Sequence, residues 1–396
     1  MFNRLLKKPL ESRKSFFLFG PRGTGKTTWL KHNLPDTIFI NLLQSEFYNR
    51  LSANPDRLRE MIPPSHRDWI IIDEVQRIPA ILNEVHDLIE TYKLDFIMTG
   101  SSARSLRRKG VNLLAGRALT YQMHPLTIIE QEETFNLRSS MQLGHLPARF
   151  SEAAPGKYLK DYVQTYLREE VMQESLTRNI GHFSRFLEVA SFSQGQTINI
   201  SSVAREAQIE RPVAENYFSI LEDLLIAVRL PAFSRKAKRK LISQKKFYFF
   251  DAGVYRAIRP TGPLDSDAEM DGPALETLVL QELRAINDYL ECGYKIYFWR
   301  TRNQLEIDFI LYGPNGLLAI EIKRSRQVQY KETRALREFK KDYPPATCYV
   351  FYGGSAPLYI DDITVLPIEY ALKNLDRILN NTLTAKCISG VVTVWS

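Results

Sequence analysis

Five residues, Ser15-Phe-Phe-Leu-Phe19, form a short apolar run, and Gly20-Pro21-Arg22-Gly23-Thr24-Gly25-Lys26-Thr27-Thr28 follows directly, ahead of a helical stretch. The pattern GxxxxGK[ST] between a strand and a helix tolerates very few backbones. Gly20, Gly23 and Gly25 let the chain turn so that its N–H groups point at phosphate oxygens. Lys26 adds a point charge for the β and γ oxygens, and the Thr27 hydroxyl is suited to Mg²⁺. A glycine-rich turn without a ligand is the plainer reading, and the flanking strand and helix argue against it.

A phosphate loop needs a second strand to hold the metal, and Asp68-Trp-Ile-Ile-Ile-Asp73-Glu74 supplies one. Asp73 is expected to hold Mg²⁺ through water, and Glu74 to polarise the attacking water. A third apolar run, Leu94–Ser102, ends in small hydroxyls, so Ser101 or Thr99 is expected to sense the γ-phosphate unless the segment is a plain turn. Arg117, in Leu113-Leu-Ala-Gly-Arg117, precedes a further apolar strand. There it can reach a neighbouring subunit's γ-phosphate or form a structural ion pair. The first role implies a homo-oligomer. Arg104, Arg107, Arg108 and Lys109 form a basic knot nearby.

Together these motifs, with Ile-Asp-Glu-Val-Gln-Arg-Ile-Pro and His124-Pro-Leu-Thr127, resemble a prokaryotic AAA-type P-loop ATPase family across about residues 10–370. The resemblance implies ATP and Mg²⁺ as ligands, and a C-terminal domain of uncharacterised function similar to PD-(D/E)xK nucleases. It also implies a winged-helix-like segment between the two. The expected architecture is therefore α/β: a P-loop AAA-type ATPase domain over 1–150, a helical linker and winged-helix module over 151–260, and a restriction-endonuclease-like (PD-(D/E)xK) domain over 261–396.

Charge divides along the same lines. The net charge of +8 resolves into 21 basic against 15 acidic residues over 1–150, 17 against 12 over 151–260, and 15 against 18 over 261–396. An anionic partner is therefore expected to dock on the first two segments. Within the middle segment, Arg235-Lys236-Ala-Lys238-Arg239-Lys240-Leu-Ile-Ser-Gln-Lys245-Lys246 holds seven basic residues and no acid in twelve positions. A solvated loop is the usual meaning of such a run. Its unopposed charge points to non-specific nucleic-acid contact, with DNA ahead of RNA. The preceding helix, expected from Pro212 to Leu225, presents Arg211, Glu215, Ser219 and Glu222 outward, and two carboxylates make it a poor reader of base edges. Tyr158, Tyr162 and Tyr166 fall at helical spacing and suit a core stripe better than a base-stacking platform.

In the last segment, Thr261–Asp271 reads as a linker and Ala274–Ala285 as a helix carrying Glu276. Strands follow at Lys295–Arg300, Gln304–Leu311 and Leu317–Lys323. Strand alternation puts Glu321 and Lys323 on one face, and a hairpin can bring Asp308 beside them. Glu276…Asp308…Glu321-x-Lys323 resembles the PD-(D/E)xK site. That resemblance implies Mg²⁺ on Asp308 and Glu321, Lys323 positioning water, and Glu276 as an outer carboxylate or second-metal ligand. Lys331, Arg334, Arg337, Lys340 and Lys341 on the next helix can lie along a nucleic-acid backbone.

No run approaches 18 uncharged apolar residues, so no membrane span is expected. Three scattered cysteines exclude a disulfide framework and point to a reducing, cytoplasmic setting. The functional expectation is an ATP-hydrolysing protein that engages nucleic acid, with Mg²⁺-dependent cleavage by the last domain. The alternative is a regulatory ATPase scaffold whose nuclease-like domain binds a protein or effector without cutting. No helicase motif set follows the ATPase core.

Overall fold

The computed structural model describes residues 2–383 except 103–105, 107–113, 115, 168–170, 172–178, 235–243 and 264. The first segment folds on five parallel strands: β1 (Phe16–Phe19), β2 (Ile38–Asn41), β3 (Ile70–Asp73), β4 (Phe96–Gly100) and β5 (Leu119–Gln122), in the order β2-β3-β4-β1-β5. The three central strands are buried throughout and mostly apolar because both faces of the sheet are covered. Phe17, Phe19, Ile70, Ile72, Phe96 and Met98 pack on one side, and Phe16, Leu18, Ile71 and Ile97 on the other. The register pairs Phe19 with Gly100 and Ile72 with Met98, so Gly20, Asp73 and Ser101 emerge at one carboxyl edge of the sheet. Ligands of open parallel sheets bind along that edge.

The middle segment contains helices Ile180–Ser191, Ile200–Glu206 and Arg211–Asp223 around a small antiparallel sheet. Its strands are β6 (Gln196–Thr197), β7 (Ala227–Leu230) and β8 (Lys246–Phe249), in the order β6-β8-β7. Asn199 caps the second helix by accepting from the Ser202 amide, so the cap lies before the expected Ser201-Ser202 pair. An aromatic core joins the layers, with Phe186 and Phe218 ring centroids 4.8 Å apart and Phe218 and Phe247 5.3 Å apart. Within the expected helix over 157–176, an α-helix, Pro155–Asp161, runs into a π-helix at Tyr162–Leu167, and residues 168–170 and 172–176 lie outside the described residues.

The last segment is a six-stranded mixed sheet. Its strands are β9 (Lys295–Arg300), β10 (Glu306–Gly313), β11 (Gly316–Lys323), β12 (Thr347–Tyr352), β13 (Leu358–Ile360) and β14 (Ile363–Pro367), in the order β13-β14-β12-β11-β10-β9. The expected linker over 261–271 is corrected in part: a 23-residue helix, Asp267–Tyr289, starts inside it. Ser266 caps that helix by accepting from the Glu269 amide, and Leu275, Val279, Leu283 and Ile286 bury against the six-stranded sheet. This packing outweighs the cost of Pro273 within the helix. At its far end Ala285 and Tyr289 pack under the parallel sheet, so one helix touches both sheets.

Strand β8 is shared in the same way. Phe247 and Phe249 enter the middle core, while Tyr248 enters the core of the last segment. Alternation places Lys246 on the Tyr248 side.

Candidate functional site

Two sites form from the expected residues. At the carboxyl edge of the parallel sheet, Gly23 and Gly25 adopt φ of 85° and 91°, a region that a side chain strains. Gly20 has no room for a Cβ, which would sit 2.4 Å from the Met123 carbonyl oxygen. Lys26, at the first position of helix Lys26–Asn33, folds back and donates to the carbonyls of Gly20 (2.7 Å) and Pro21 (3.2 Å). Thr27 Oγ1 donates to Asp73 Oδ2 at 2.9 Å, and Thr99 donates to the other Asp73 oxygen. A buried carboxylate beside a hydroxyl at the loop's helix is a donor set that fits Mg²⁺ with phosphate oxygens. Thr28 follows Thr27 in the same helical turn.

Glu74 follows at φ 62°, left-handed backbone in a non-glycine residue. Its amide donates to Thr99 Oγ1 (3.3 Å), and its carboxylate accepts from Gln76 Nε2 (2.6 Å). The same Gln76 nitrogen donates to Ser101 Oγ at 3.3 Å. Gln76 is therefore the link between Glu74 and Ser101 that sequence reasoning missed. The one signal available was an amide two residues beyond the acidic pair. Thr99 orients Asp73 rather than facing solvent. Tyr162, expected in a core stripe, is buried and also donates its hydroxyl to the Arg22 carbonyl at 2.9 Å, against the loop. The Tyr158 hydroxyl approaches Gly23, and Tyr166's side chain lies outside the described residues. Arg117 forms an ion pair with Glu90 of its own chain.

The second site gathers Glu276 from the long helix, Asp308 from β10, and Glu321 and Lys323 from β11. The β10–β11 register pairs Phe309 with Ile320, which sets Asp308 across from Glu321. Its centre is Lys246. This ammonium is 1% exposed and lies 3.1 Å from Glu276 Oε2, 2.8 Å from Glu306 Oε1 and 3.1 Å from Asp308 Oδ1. It donates a hydrogen bond to Asp308 Oδ1 and forms ion pairs with the other two carboxylates. Burial alone would lower the Lys246 pKa, but Tyr248, Glu276, Asp308 and Glu306 overcome it and lift it well above its ordinary value. The Tyr248 hydroxyl donates to Glu276 Oε2 at 2.8 Å, and Arg300 Nε lies 3.3 Å from Glu306 Oε2. Burial, then Asp308, pushes the Glu276 carboxyl up to about 7, with Lys246 opposing. Burial, again with Asp308, pushes Glu321 up to about 8, while Lys323, at 2.6 Å from Oε1, opposes.

These residues do not fit Mg²⁺ as they stand. A hard divalent ion needs about six oxygens around it. Asp308 Oδ1 is held by Lys246, Asp308 Oδ2 accepts from the Ile322 amide at 2.9 Å, and Glu321 Oε1 is held by Lys323. Glu321 Oε2 is buried with no hydrogen-bond partner among the described residues. Among those residues no group of three His, Cys, Asp or Glu side chains is arranged to hold a metal ion.

The expected nucleic-acid contacts separate. Lys246 is withdrawn from the surface, because strand parity turns it into the carboxylate cluster. Lys245, next to it, is exposed and lines an open cleft with Arg211 and Arg229. Arg235, Lys236, Lys238, Arg239 and Lys240 lie outside the described residues, as do Arg104, Arg107, Arg108 and Lys109. Glu215 and Glu222, expected to face outward, both pair with Arg229 of β7. On helix Arg334–Asp342, Lys340 pairs with Asp362 at 3.3 Å and the Arg337 guanidinium lies 3.7 Å from the centre of the Tyr330 ring.

Three domain families match the chain. Residues 12–131 match the AAA domain, residues 136–265 a domain of unknown function (DUF8612), and residues 271–371 a second domain of unknown function (DUF4143). The chain therefore carries an AAA-type ATPase domain with DUF4143 at its C-terminal side. An uncharacterized protein of Mycobacterium tuberculosis is 25% identical over 371 residues, covering 91% of this chain and 81% of the relative. One of Haemophilus influenzae is 24% identical over 310 residues, covering 72% and 73%. The crystal structure of protein VC1899 from Vibrio cholerae aligns with 93% of this chain and 97% of its own at 12% identity, with a TM-score of 0.22 that carries no argument. Among the described residues no helix is long and apolar enough to cross a membrane.

Proposed function

We propose that this chain is an ATP-hydrolysing switch, with ATP turned over at the edge formed by β1, β3 and β4. One observation carries the reading. Thr27, Asp73 and Thr99 are joined in one network, and Glu74, Gln76 and Ser101 in a second beside it. Lys26 would exchange the carbonyls of Gly20 and Pro21 for the β and γ oxygens, which the loop amides also face. Thr27 and Asp73 would hold Mg²⁺, which on binding neutralises phosphate charge. Glu74 would orient and polarise the attacking water, and Gln76 and Ser101 hold Glu74 in place. Arg117 would leave Glu90 to meet a neighbouring copy's γ-phosphate, which makes the working form a homo-oligomer.

Lys26→Ala should lose both nucleotide binding and turnover. Glu74→Gln should keep binding and lower turnover about a hundredfold or more. Turnover by Glu74→Gln at the wild-type rate would overturn the assignment of Glu74.

The order helix, short strand, two helices, paired strands in the middle segment supports a winged-helix reading, and the last segment supports a nuclease-like α/β reading without cleavage. The lysine-filled cluster favours the scaffold alternative over phosphodiester cutting. A second reading, non-specific DNA engagement, rests on the basic run that ends at the exposed Lys245. Binding that is insensitive to salt, or that survives charge reversal of Arg235, Lys236, Lys238, Arg239 and Lys240, would remove it.

A further inference from the structure

The carboxylate cluster of the last segment draws its central cation from another part of the chain. Lys246 opens β8, a strand hydrogen-bonded on both edges inside the middle segment's small sheet. Its neighbours Phe247 and Phe249 are sealed in that segment's aromatic core. Its side chain nevertheless ends among Glu276, Glu306 and Asp308, pairing with all three carboxylates and donating a hydrogen bond to Asp308 Oδ1. A metal held by Asp308 and Glu321 would have to share Asp308 Oδ1 with a full positive charge 3.1 Å away. At such separations in a buried site two cations repel strongly.

We infer that Lys246 is the resident cation of this cluster. While β8 is seated, the cluster excludes divalent metal. With the ammonium removed, it takes one divalent ion through Asp308 and Glu321. The cluster is then an intramolecular receptor for a lysine, clamping the middle segment to the last one. Glu276, Glu306, Asp308 and Glu321 converge here. Lys246 pairs with three of them, and among the described residues Lys323 and Arg300 each pair with one. Glu321 Oε2, buried with no hydrogen-bond partner among the described residues, is the oxygen positioned to accept the ion once Lys246 is gone. The ATPase site does not depend on this cluster.

The test is a thermal-unfolding titration of the full chain with MnCl₂ and MgCl₂ in the absence of nucleotide, on wild type, Lys246→Met, Asp308→Asn and the double variant. Methionine keeps the length and apolar stem of lysine and deletes only the charge. The midpoint of the wild type should be no more metal-sensitive than that of Asp308→Asn. Lys246→Met should unfold several degrees lower and recover at millimolar Mn²⁺, and the Asp308→Asn change in that background should abolish the recovery. Wild-type stabilisation by Mn²⁺ that Asp308→Asn removes would overturn the inference, as would a folded Lys246→Met with no metal response. If Lys246→Met folds only with Mn²⁺ present, the inference stands. If it folds under neither condition, Mn²⁺ binding to the wild type by electron paramagnetic resonance decides: one ion lost on Asp308→Asn refutes it, and none supports it.

Discussion

Glu282 and His145, with Oε1 and Nδ1 3.3 Å apart, show how strongly burial acts on charge. Both side chains are fully buried. His145 Nδ1 lies 2.8 Å from the Leu126 carbonyl, which can only accept, so that nitrogen carries the proton. Burial pushes the imidazole down to about 4, which leaves it neutral near pH 7. Glu282 accepts from the Ile128 amide at 3.0 Å, yet burial pushes its carboxyl up to about 8. Its folded pKa lies above its unfolded one, so it contributes stability below about pH 4.5 that is lost as pH rises to about 8. Glu282→Gln, neutral at every pH, should escape that loss. Denaturant unfolding should show the variant gaining on the wild type by a few kcal/mol between pH 5 and pH 8. Equal pH dependence of the two proteins would show that Glu282 is ionised in the fold.

Among the elements, helix Arg211–Asp223 has the buried face its spacing predicts, while of the expected outward residues Arg211 and Glu215 are exposed and Ser219 and Glu222 partly buried. Tyr217, Ile220, Leu221 and Leu224 are buried, and Glu215 is exposed. Its acids were legible as outward residues, but their shared partner was not. Arg229, on β7, reaches back with one guanidinium nitrogen to Glu215 at 2.8 Å and another to Glu222. Arg229→Ala should lower the stability of the middle segment by about 1–2 kcal/mol, with most of the effect from the half-buried guanidinium rather than from the exposed Glu215. Lysine should restore little of it, since the two-pronged fork is lost. Thermal melts of the two variants provide the check, and full rescue by lysine would refute the fork argument. The long helix, by contrast, was read too short. The Pro-, Gly- and Asp-rich stretch Thr261–Asp271 reads locally as a linker, while the apolar positions that keep the helix intact bury against sheets formed by distant strands.

Across the whole molecule, Arg4 joins parts that lie far apart in sequence. Its guanidinium donates to the Thr24 carbonyl in the phosphate loop at 3.3 Å, to the His124 carbonyl at 2.6 Å and to the Tyr289 hydroxyl at 3.0 Å. It also pairs with buried Glu130 at 3.1 Å. The long helix that ends at Tyr289 carries Glu276 nearer its middle, so a single helix runs between the two sites. Addition of ATP and Mg²⁺ should slow amide exchange near Tyr289 in the wild type, and Arg4→Met should abolish that protection while leaving the loop's own protection in place. Unchanged protection near Tyr289 in the variant would mean that the contact carries no coupling.

What the chain determined by itself is local. The phosphate loop, the Asp73-Glu74 strand end and the β10–β11 carboxylates depend on residues close in sequence, where turn chemistry and strand alternation act directly. What only the tertiary structure decided is pairing across distance. The bond from Lys246 to Asp308 spans 62 residues, and the one from Arg4 to Tyr289 spans 285. The strand Lys246-Phe-Tyr-Phe249 shows in sequence that lysine and Tyr248 share a face. It does not show that the face meets three carboxylates. That depends on how two cores pack on one strand, and it turned an expected surface contact into a buried counter-ion.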